Sequence, residues 1–184
     1  MTAESALNDK LVLVVDDETD ILDAVEETLD TCMVHKVADY ETALQFLLSY
    51  TYDIVILDIM GVNGFELLKM CVKRGFPAVM LTAHALNPES LKKAIKLGAV
   101  SFLPKEKISE LKVFLEDVVL EEGRPVWKKL FDRMGDLFAK RFGPDWKERD
   151  AFFREFQETL MKEENIPTDR TKWPSERPVR KGRL

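Results

Sequence analysis

The stretch DIVILDIMG, residues 53–61, runs through four consecutive apolar residues into an acid, Asp58. The stretch LVLVVDDE, residues 11–18, repeats this pattern, because five apolar residues are followed by three acids. Short continuous apolar runs are typical of strands that are buried on both faces, as in a parallel sheet covered by helices. An acid at the end of such a strand needs a nearby positive charge to offset it.

Five predicted strands alternate with helical segments along the first two thirds of the chain. Four of them are continuous apolar runs, whereas MVHKV alternates and is predicted to be an edge strand. The five runs cover residues 11–15, 33–37, 54–57, 78–81 and 100–103. A fifth helix is predicted over residues 111–119, after the last strand. Because parallel neighbours need crossover helices, the alternation predicts a doubly wound α/β domain with a five-stranded parallel sheet.

The chain divides into three predicted parts. Residues 1–123 form the α/β domain, residues 124–164 a helical hairpin, and residues 165–184 a flexible basic tail that is rich in Pro and Arg. In the hairpin, Asp145 and Glu148 have the spacing of a capping box, which predicts that one second helix begins there.

Seven large aromatic rings are concentrated in the predicted hairpin. Two helices alone cannot bury them all against each other, and each ring left in water would cost roughly 1.5 to 3 kcal/mol of lost burial. Another surface must therefore cover them, either the α/β domain of the same chain or a second copy. Of these we favour a homodimer, in which two hairpins form a four-helix bundle. The rings belong to Trp127, Phe131, Phe138, Trp146, Phe152, Phe153 and Phe156.

Composition limits the class of protein. No apolar run reaches the roughly 20 residues that span a bilayer, and residues 1–10 lack the pattern of a secretion signal, so we expect a cytoplasmic protein with no membrane contact. Residues 1–123 hold 22 acidic and 11 basic residues, net −11, whereas residues 124–184 hold 11 and 16, net +5. This asymmetry is either ordinary surface composition or a sign that the basic part docks on an acidic surface.

Polar residues follow the predicted strands wherever a buried strand ends. Asp16 and Asp17 follow the first strand, Asp58 ends the third, Thr82 follows the fourth and Lys105 comes after the fifth. The carboxyl ends of parallel strands form one edge of an open sheet, where ligands bind in α/β proteins. Clustered carboxylates repel one another and are hard oxygen ligands, so this edge is predicted to bind Mg²⁺.

This set of residues resembles the receiver domains of response regulators in two-component phosphorelays, over residues 11 to about 120. The resemblance implies a flavodoxin-like sheet with strand order 2-1-3-4-5. It implies that Asp58 accepts a phosphoryl group from a sensor histidine kinase or a phosphotransfer protein. It also implies that Mg²⁺ is bound by Asp16, Asp17 and Asp58, with the Met60 carbonyl as a further ligand. Such a chain is a phosphoacceptor rather than an enzyme with a separate substrate.

The resemblance assigns three further residues, for which simpler interpretations stay open. Thr82 and Lys105 would contact the phosphoryl group, and Phe102 would be an aromatic switch that reshapes the surface of the fourth and fifth helices. Thr82 could instead be an ordinary residue that precedes a helix, Phe102 an ordinary core residue and Lys105 an ordinary surface lysine. Asp16 or Asp17 alone could cap the first helix, and Asp17 could do so while also binding the metal. His84, two residues past Thr82, could influence hydrolysis of the acyl phosphate or be purely structural.

The sequence departs from the usual receiver pattern after the phosphoacceptor. The loop IMGVNG, residues 59–64, is shortened, so Gly61 and Gly64 must form a tighter turn. Residues 124–184 resemble no output domain that we can name. A DNA-binding regulator is therefore an alternative, although nucleic-acid binding is not expected of two helices without a third as support. A Mg²⁺-dependent phosphatase is disfavoured because Met60 stands where a proton-donating acid would be needed.

Overall fold

The computed structural model describes residues 4–83 and 86–163. Its five strands are β1 Leu11–Val15, β2 Met33–Val37, β3 Ile54–Asp58, β4 Ala78–Thr82 and β5 Ser101–Pro104. They form one parallel sheet in the order β2-β1-β3-β4-β5. The sheet order and the edge position of β2 confirm the predicted doubly wound architecture.

Two layers of helices cover the sheet. Helix α1 contacts α5, whereas α3 contacts both α2 and α4. Helix α4 begins with a side-chain cap, because Oδ1 of Asn87 accepts a hydrogen bond from the amide of Ser90 at 2.9 Å, and it ends at Gly98 with a φ of 97°. The helices are α1 Thr19–Thr28, α2 Tyr40–Ser49, α3 Gly64–Arg74, α4 Pro88–Leu97 and α5 Leu111–Leu120.

The interior strands β3 and β4 bury every one of their residues. Both faces of these strands are covered by helices, so continuous hydrophobicity is what their environment requires. The burial continues to the polar residues at their ends. Asp58 is 4% exposed and Thr82 is 0% exposed.

Residues 124–163, the described part of the C-terminal region, contain three helices where the sequence predicted two. They are α6 Trp127–Phe142, α7 Trp146–Arg149 and α8 Ala151–Glu163. The predicted capping box is wrong, because Asp145 makes no side-chain cap and its carboxylate pairs with Arg149 at 3.2 Å. The backbone is extended at Asp150, whose Oδ1 accepts a hydrogen bond from the amide of Phe152 at 2.8 Å. The aspartate that initiates the long last helix is therefore Asp150.

The aromatic rings of this region are covered within one chain. Six of the seven rings are at most 8% exposed, and Phe152 is half-buried. They pack on one another, as Trp146 does against Phe153 with ring centroids 4.9 Å apart, while α6 also contacts β5. The argument for a homodimer rested on rings that needed an external cover. The rings are covered by one another and by the α/β domain of the same chain, which was the alternative to a second copy, so this argument no longer holds.

Several sequence expectations concern parts of the chain that the structure does not describe. The predicted flexible tail at residues 165–184 and the residue His84 lie outside the described ranges. Within residues 4–83 and 86–163, every helix is too short or too polar to cross a membrane.

Candidate functional site

The ends of the strands bring the predicted site residues together. Strands β1 and β3 are neighbours, so Asp16, directly after β1, lies beside Asp58 at the end of β3. Lys105 follows β5, and its Nζ reaches both acids, at 2.8 Å from Oδ2 of Asp16 and 3.4 Å from Oδ1 of Asp58. The tertiary structure thus places one ammonium group between two buried carboxylates.

Glu18 is a site residue that the sequence argument did not assign. Its Oε1 lies 2.8 Å from Nζ of Lys105, as close as the carboxylate of Asp16. The Lys105 side chain is only 7% exposed, whereas that of Glu18 is 53% exposed. Burial lowers the pKa of Lys105, but the carboxylates of Asp16 and Glu18 outweigh burial and raise it above its usual value. The run of three acids was the available signal, because only two had been given a role.

The three consecutive acids form a cluster of oxygen ligands. One carboxylate oxygen from each of Asp16, Asp17 and Glu18 lies within 4.8 Å of the others. Oδ1 of Asp16 accepts the amide of Glu18 at 2.9 Å. Oδ2 of Asp16 is buried and has its ion pair with Lys105, but no well-directed hydrogen bond from any residue that the structure describes. A buried anionic oxygen with lone pairs to spare, beside two more exposed carboxylates, suits a hard divalent cation.

Asp17 does not cap helix α1, which was one of the roles that the sequence allowed. Helix α1 begins at Thr19, and the residue immediately before it is Glu18. Asp17 is therefore not the N-cap residue, and the capping alternative is wrong. Its exposed carboxylate is turned toward the loop after β3, where it approaches Gly61.

The pKa of Asp58 is shifted toward neutrality. Burial raises it to about 6, the negative charge of Asp16 adds to the rise, and the charge of Lys105 opposes it. Burial likewise raises the pKa of Asp16, against the attraction of Lys105. Ionisation of Asp16 and Asp58 is therefore unfavourable in free energy relative to an exposed carboxylate, and a bound cation would make it more favourable.

The short loop between β3 and α3 depends on its two glycines. Gly61 has a φ of +83°, and a Cβ on it would come within 2.6 Å of the carboxylate of Asp17. A Cβ on Gly64 would lie 1.9 Å from the carbonyl oxygen of Asp58. The structure thus confirms that these glycines are needed for the tighter turn. The side chain of Met60 points outward and is 56% exposed, which leaves its backbone as the only part suited to face the acids.

Thr82 and Phe102 lie on neighbouring strands. Thr82 is the last residue of β4 and follows Leu81, which pairs with Asp58 in the register of β3 and β4. Phe102 lies in β5, paired with Met80, and is fully buried. The position of Thr82 suits contact with a group on Asp58. Burial of Phe102 agrees equally with a core residue and with a switch in its inward position, so both interpretations stay open.

Comparison with protein families gives one match over most of the chain's first two thirds. The family model described as the response regulator receiver domain matches residues 12–116. The two-component response regulator ARR10 of Arabidopsis thaliana is 34% identical over 116 residues, which cover 59% of this chain and 21% of that protein. The chain therefore spans about a fifth of the length of this relative.

Solved structures show the same fold over the same region. The chemotaxis response regulator CheY4 of Vibrio cholerae is 28% identical, with a TM-score of 0.54, and the match covers 61% of this chain and 99% of that one. The receiver domain of DrrB, described as activated by BeF3, is 26% identical, with a TM-score of 0.50, over 59% of this chain and 98% of that one. Both matches cover about three fifths of the chain.

Proposed function

Since its residues 12–116 make this chain a member of the response regulator receiver domain family, we propose that it accepts a phosphoryl group on Asp58. The donor would be a phosphohistidine on a sensor histidine kinase or a phosphotransfer protein, in the cytoplasm. The observation that carries the proposal is the burial of Asp58 at the end of β3, 3.4 Å from the ammonium of Lys105. Burying an acid and a cation together costs desolvation free energy, and such pairs with perturbed pKa values are concentrated at functional sites.

The transfer needs an ionised carboxylate as nucleophile. With its pKa raised to about 6, Asp58 is mostly charged above neutral pH. A carboxylate oxygen attacks phosphorus, a P–O bond forms and the P–N bond of the phosphohistidine breaks. The imidazole leaves with the electron pair and takes a proton from water. The product is an acyl phosphate on Asp58, which water can later hydrolyse.

Mg²⁺ fits the acids at this edge. Asp16 and Asp17 would hold it together with Asp58 and the Met60 carbonyl, and Glu18 lies within the same cluster. When bound, the cation neutralises charge on the phosphoryl oxygens during transfer. Of these residues, Asp16 is best prepared for the role because its buried Oδ2 lacks a well-directed hydrogen bond among the described residues.

Lys105 and Thr82 would recognise the phosphoryl group. The Lys105 ammonium can neutralise one phosphoryl oxygen, although it is now nearer to Asp16 and Glu18 than to Asp58. The buried hydroxyl of Thr82 can donate a hydrogen bond to an oxygen that is present only after transfer. Lys105 and Thr82 are therefore the two side chains whose contacts would differ between the unphosphorylated and the phosphorylated chain.

The output would be a change of protein contacts rather than DNA binding. In the described part of the C-terminal region, Lys129, Arg133 and Arg141 pair with acids of the α/β domain. These charges are already engaged, which disfavours the alternative of DNA recognition by this region. A homodimer would require a surface other than the aromatic rings, since those are covered within the chain.

Labelling with acetyl phosphate tests the proposal. The wild-type chain should acquire one phosphoryl group in the presence of Mg²⁺, and Asp58→Asn should acquire none. Asp53→Asn is a matched control, because Asp53 is also buried, at 7% exposure, but precedes β3 and accepts the amide of Leu11 at 2.9 Å. The proposal fails if Asp58→Asn is labelled as well as the wild type.

A further inference from the structure

The C-terminal helices, residues 124–163, are tied to one side of the α/β domain by ion pairs. This side consists of α4, β5, the turn Lys105–Glu110 that follows β5, and α5. Near β5, the amide of Val126 also donates to the carbonyl of Val100 at 2.9 Å. The ion pairs are Asp150 with Lys92 of α4, Arg141 with Glu106 of the turn, Arg133 with Asp117 of α5, and Lys129 with Glu121, the residue that follows α5.

One of these ion pairs adjoins the candidate phosphorylation site. Nη2 of Arg141 donates to both carboxylate oxygens of Glu106, at 2.7 and 2.9 Å. Glu106 directly follows Lys105, whose ammonium lies 2.8 Å from both Asp16 and Glu18. The same short turn is thus held on its inner side by the site acids and on its outer side by α6.

We propose that Arg141 is a positioning residue, which acts through Glu106 on the turn that carries Lys105 and so couples the C-terminal helices to phosphorylation of Asp58. This inference rests on the proposed phosphoryl transfer. Lys105 is 3.4 Å from Asp58 and 2.8 Å from Asp16 and from Glu18, so a phosphoryl group on Asp58 would compete with these two acids for the same ammonium. Redistribution of that ammonium alters the strain on the turn in which Glu106 is the next residue.

The contact with Arg141 therefore favours the unphosphorylated arrangement. Coupling between two sites is reciprocal, so phosphorylation loosens the Arg141 contact to the same extent that the contact opposes phosphorylation. Arg141 and Glu106 are 48% and 45% exposed, which limits the effect to the range of exposed ion pairs. Such pairs correspond to a factor of about 1.5 to 5 in an equilibrium or rate.

The tryptophans give a direct reading of the C-terminal helices. The three tryptophans of the chain all follow residue 123, at positions 127, 146 and 173. Trp127 and Trp146 are 2% and 3% exposed and pack against other rings of α6 and α8. In a Trp173→Phe background, intrinsic fluorescence therefore reports on the packing of these helices and not on the α/β domain.

The experiment compares two variants of the full-length chain in that background. Arg141→Gln removes the contact beside Lys105, whereas Lys129→Gln removes an ion pair of the same helix to Glu121, the residue after α5, with a side chain of similar exposure, 42%. The initial rate of labelling by acetyl phosphate with Mg²⁺ should rise about 1.5- to 5-fold in Arg141→Gln and stay unchanged in Lys129→Gln. Exchanging the charges, Glu106→Arg with Arg141→Glu, should restore the wild-type rate.

Tryptophan fluorescence tests whether Arg141 acts as a positioning residue or only stabilises the fold. Phosphorylation, or beryllofluoride as its stable substitute, should change the tryptophan emission of the parent chain. Equal rates in Arg141→Gln and Lys129→Gln, or an emission that phosphorylation leaves unchanged, would overturn the coupling. A parent chain that acetyl phosphate does not label would overturn the proposed function as well. Melting temperatures of the two variants, measured in parallel, should agree, which shows that both are folded.

Discussion

The carboxylate of Glu18 lies 2.8 Å from the ammonium of Lys105, closer than the 3.4 Å that separate this ammonium from Asp58. The two residues are 87 positions apart in the chain. Glu18 thus competes with Asp58, the proposed phosphoacceptor, for the one cation that Asp58 contacts within the described residues. This relationship gives the acid a testable role.

Glu18→Gln should accelerate labelling of Asp58 by acetyl phosphate by about 1.5- to 5-fold. The substitution removes one ion pair that holds Lys105 away from Asp58, and a pair with a half-exposed partner contributes about 0.2 to 1 kcal/mol. Initial rates with saturating Mg²⁺ measure the effect. Glu27→Gln is the control, because Glu27 is an exposed acid of the same helix region. Slower labelling together with a higher Mg²⁺ requirement would show instead that Glu18 is a metal ligand.

Asp58→Asn should stabilise the metal-free chain at pH 7.5, and the gain should shrink toward pH 4.5. Because the folded-state pKa of Asp58 is raised to about 6, the folded state binds this proton more strongly than the unfolded state. Wild-type stability therefore falls as pH rises from about 4 to 6, whereas an amide is unaffected. At pH 7.5 the variant should exceed the wild type by about 1 to 3 kcal/mol in the free energy of unfolding, or by about 2 to 10 °C in melting temperature.

Thermal denaturation with EDTA at several pH values measures this difference. The same pH series on Glu27→Gln, which alters an exposed carboxylate, should follow the wild type. A stabilisation by Asp58→Asn that does not depend on pH would contradict the explanation by charge burial.

Gly61→Ala should weaken the site, whereas Gly135→Ala should stabilise the fold. A Cβ at Gly61 would lie 2.6 Å from the carboxylate of Asp17 at a φ of +83°, so the loop or the acid must move. At Gly135, within α6, nothing lies within 4 Å of the added Cβ. Alanine there should add about 0.5 to 1 kcal/mol of helix stability. Labelling rates and melting temperatures of both variants test the contrast, and equal effects would refute it.

Mg²⁺ should raise the melting temperature by mass action, and Asp17→Ala should abolish the rise. Only the folded state gathers the acids of β1 and β3, so the cation binds that state selectively. The gain is about 2.7 kcal/mol at a concentration one hundred times Kd. Asp20→Ala, an exposed acid in the first turn of α1, should keep the response. An Mg²⁺ response that survives in Asp17→Ala would remove this residue from the metal site.

The sequence by itself determined the sheet and the edge at which the site lies. A continuous apolar run such as that of residues 54–57 fits a strand that is buried on both faces. In a parallel sheet, the carboxyl ends of such strands all lie at one edge. The acids after these runs were therefore identifiable before any contact was known. The same local reasoning found the glycines of the short loop, since a tight turn depends on a few neighbouring residues.

Only the tertiary structure decided which distant groups share a contact. Glu18 meets Lys105, Arg141 meets Glu106, and Asp150 rather than Asp145 initiates the last helix. The aromatic rings of the C-terminal helices are covered by one another and by the α/β domain of the same chain, and no local signal distinguished this cover from a second copy. Helical and strand periodicity record which face of an element is buried. Periodicity does not record which other element packs against that face, because many tertiary arrangements bury the same face. Only the complete set of long-range contacts selects one of these arrangements.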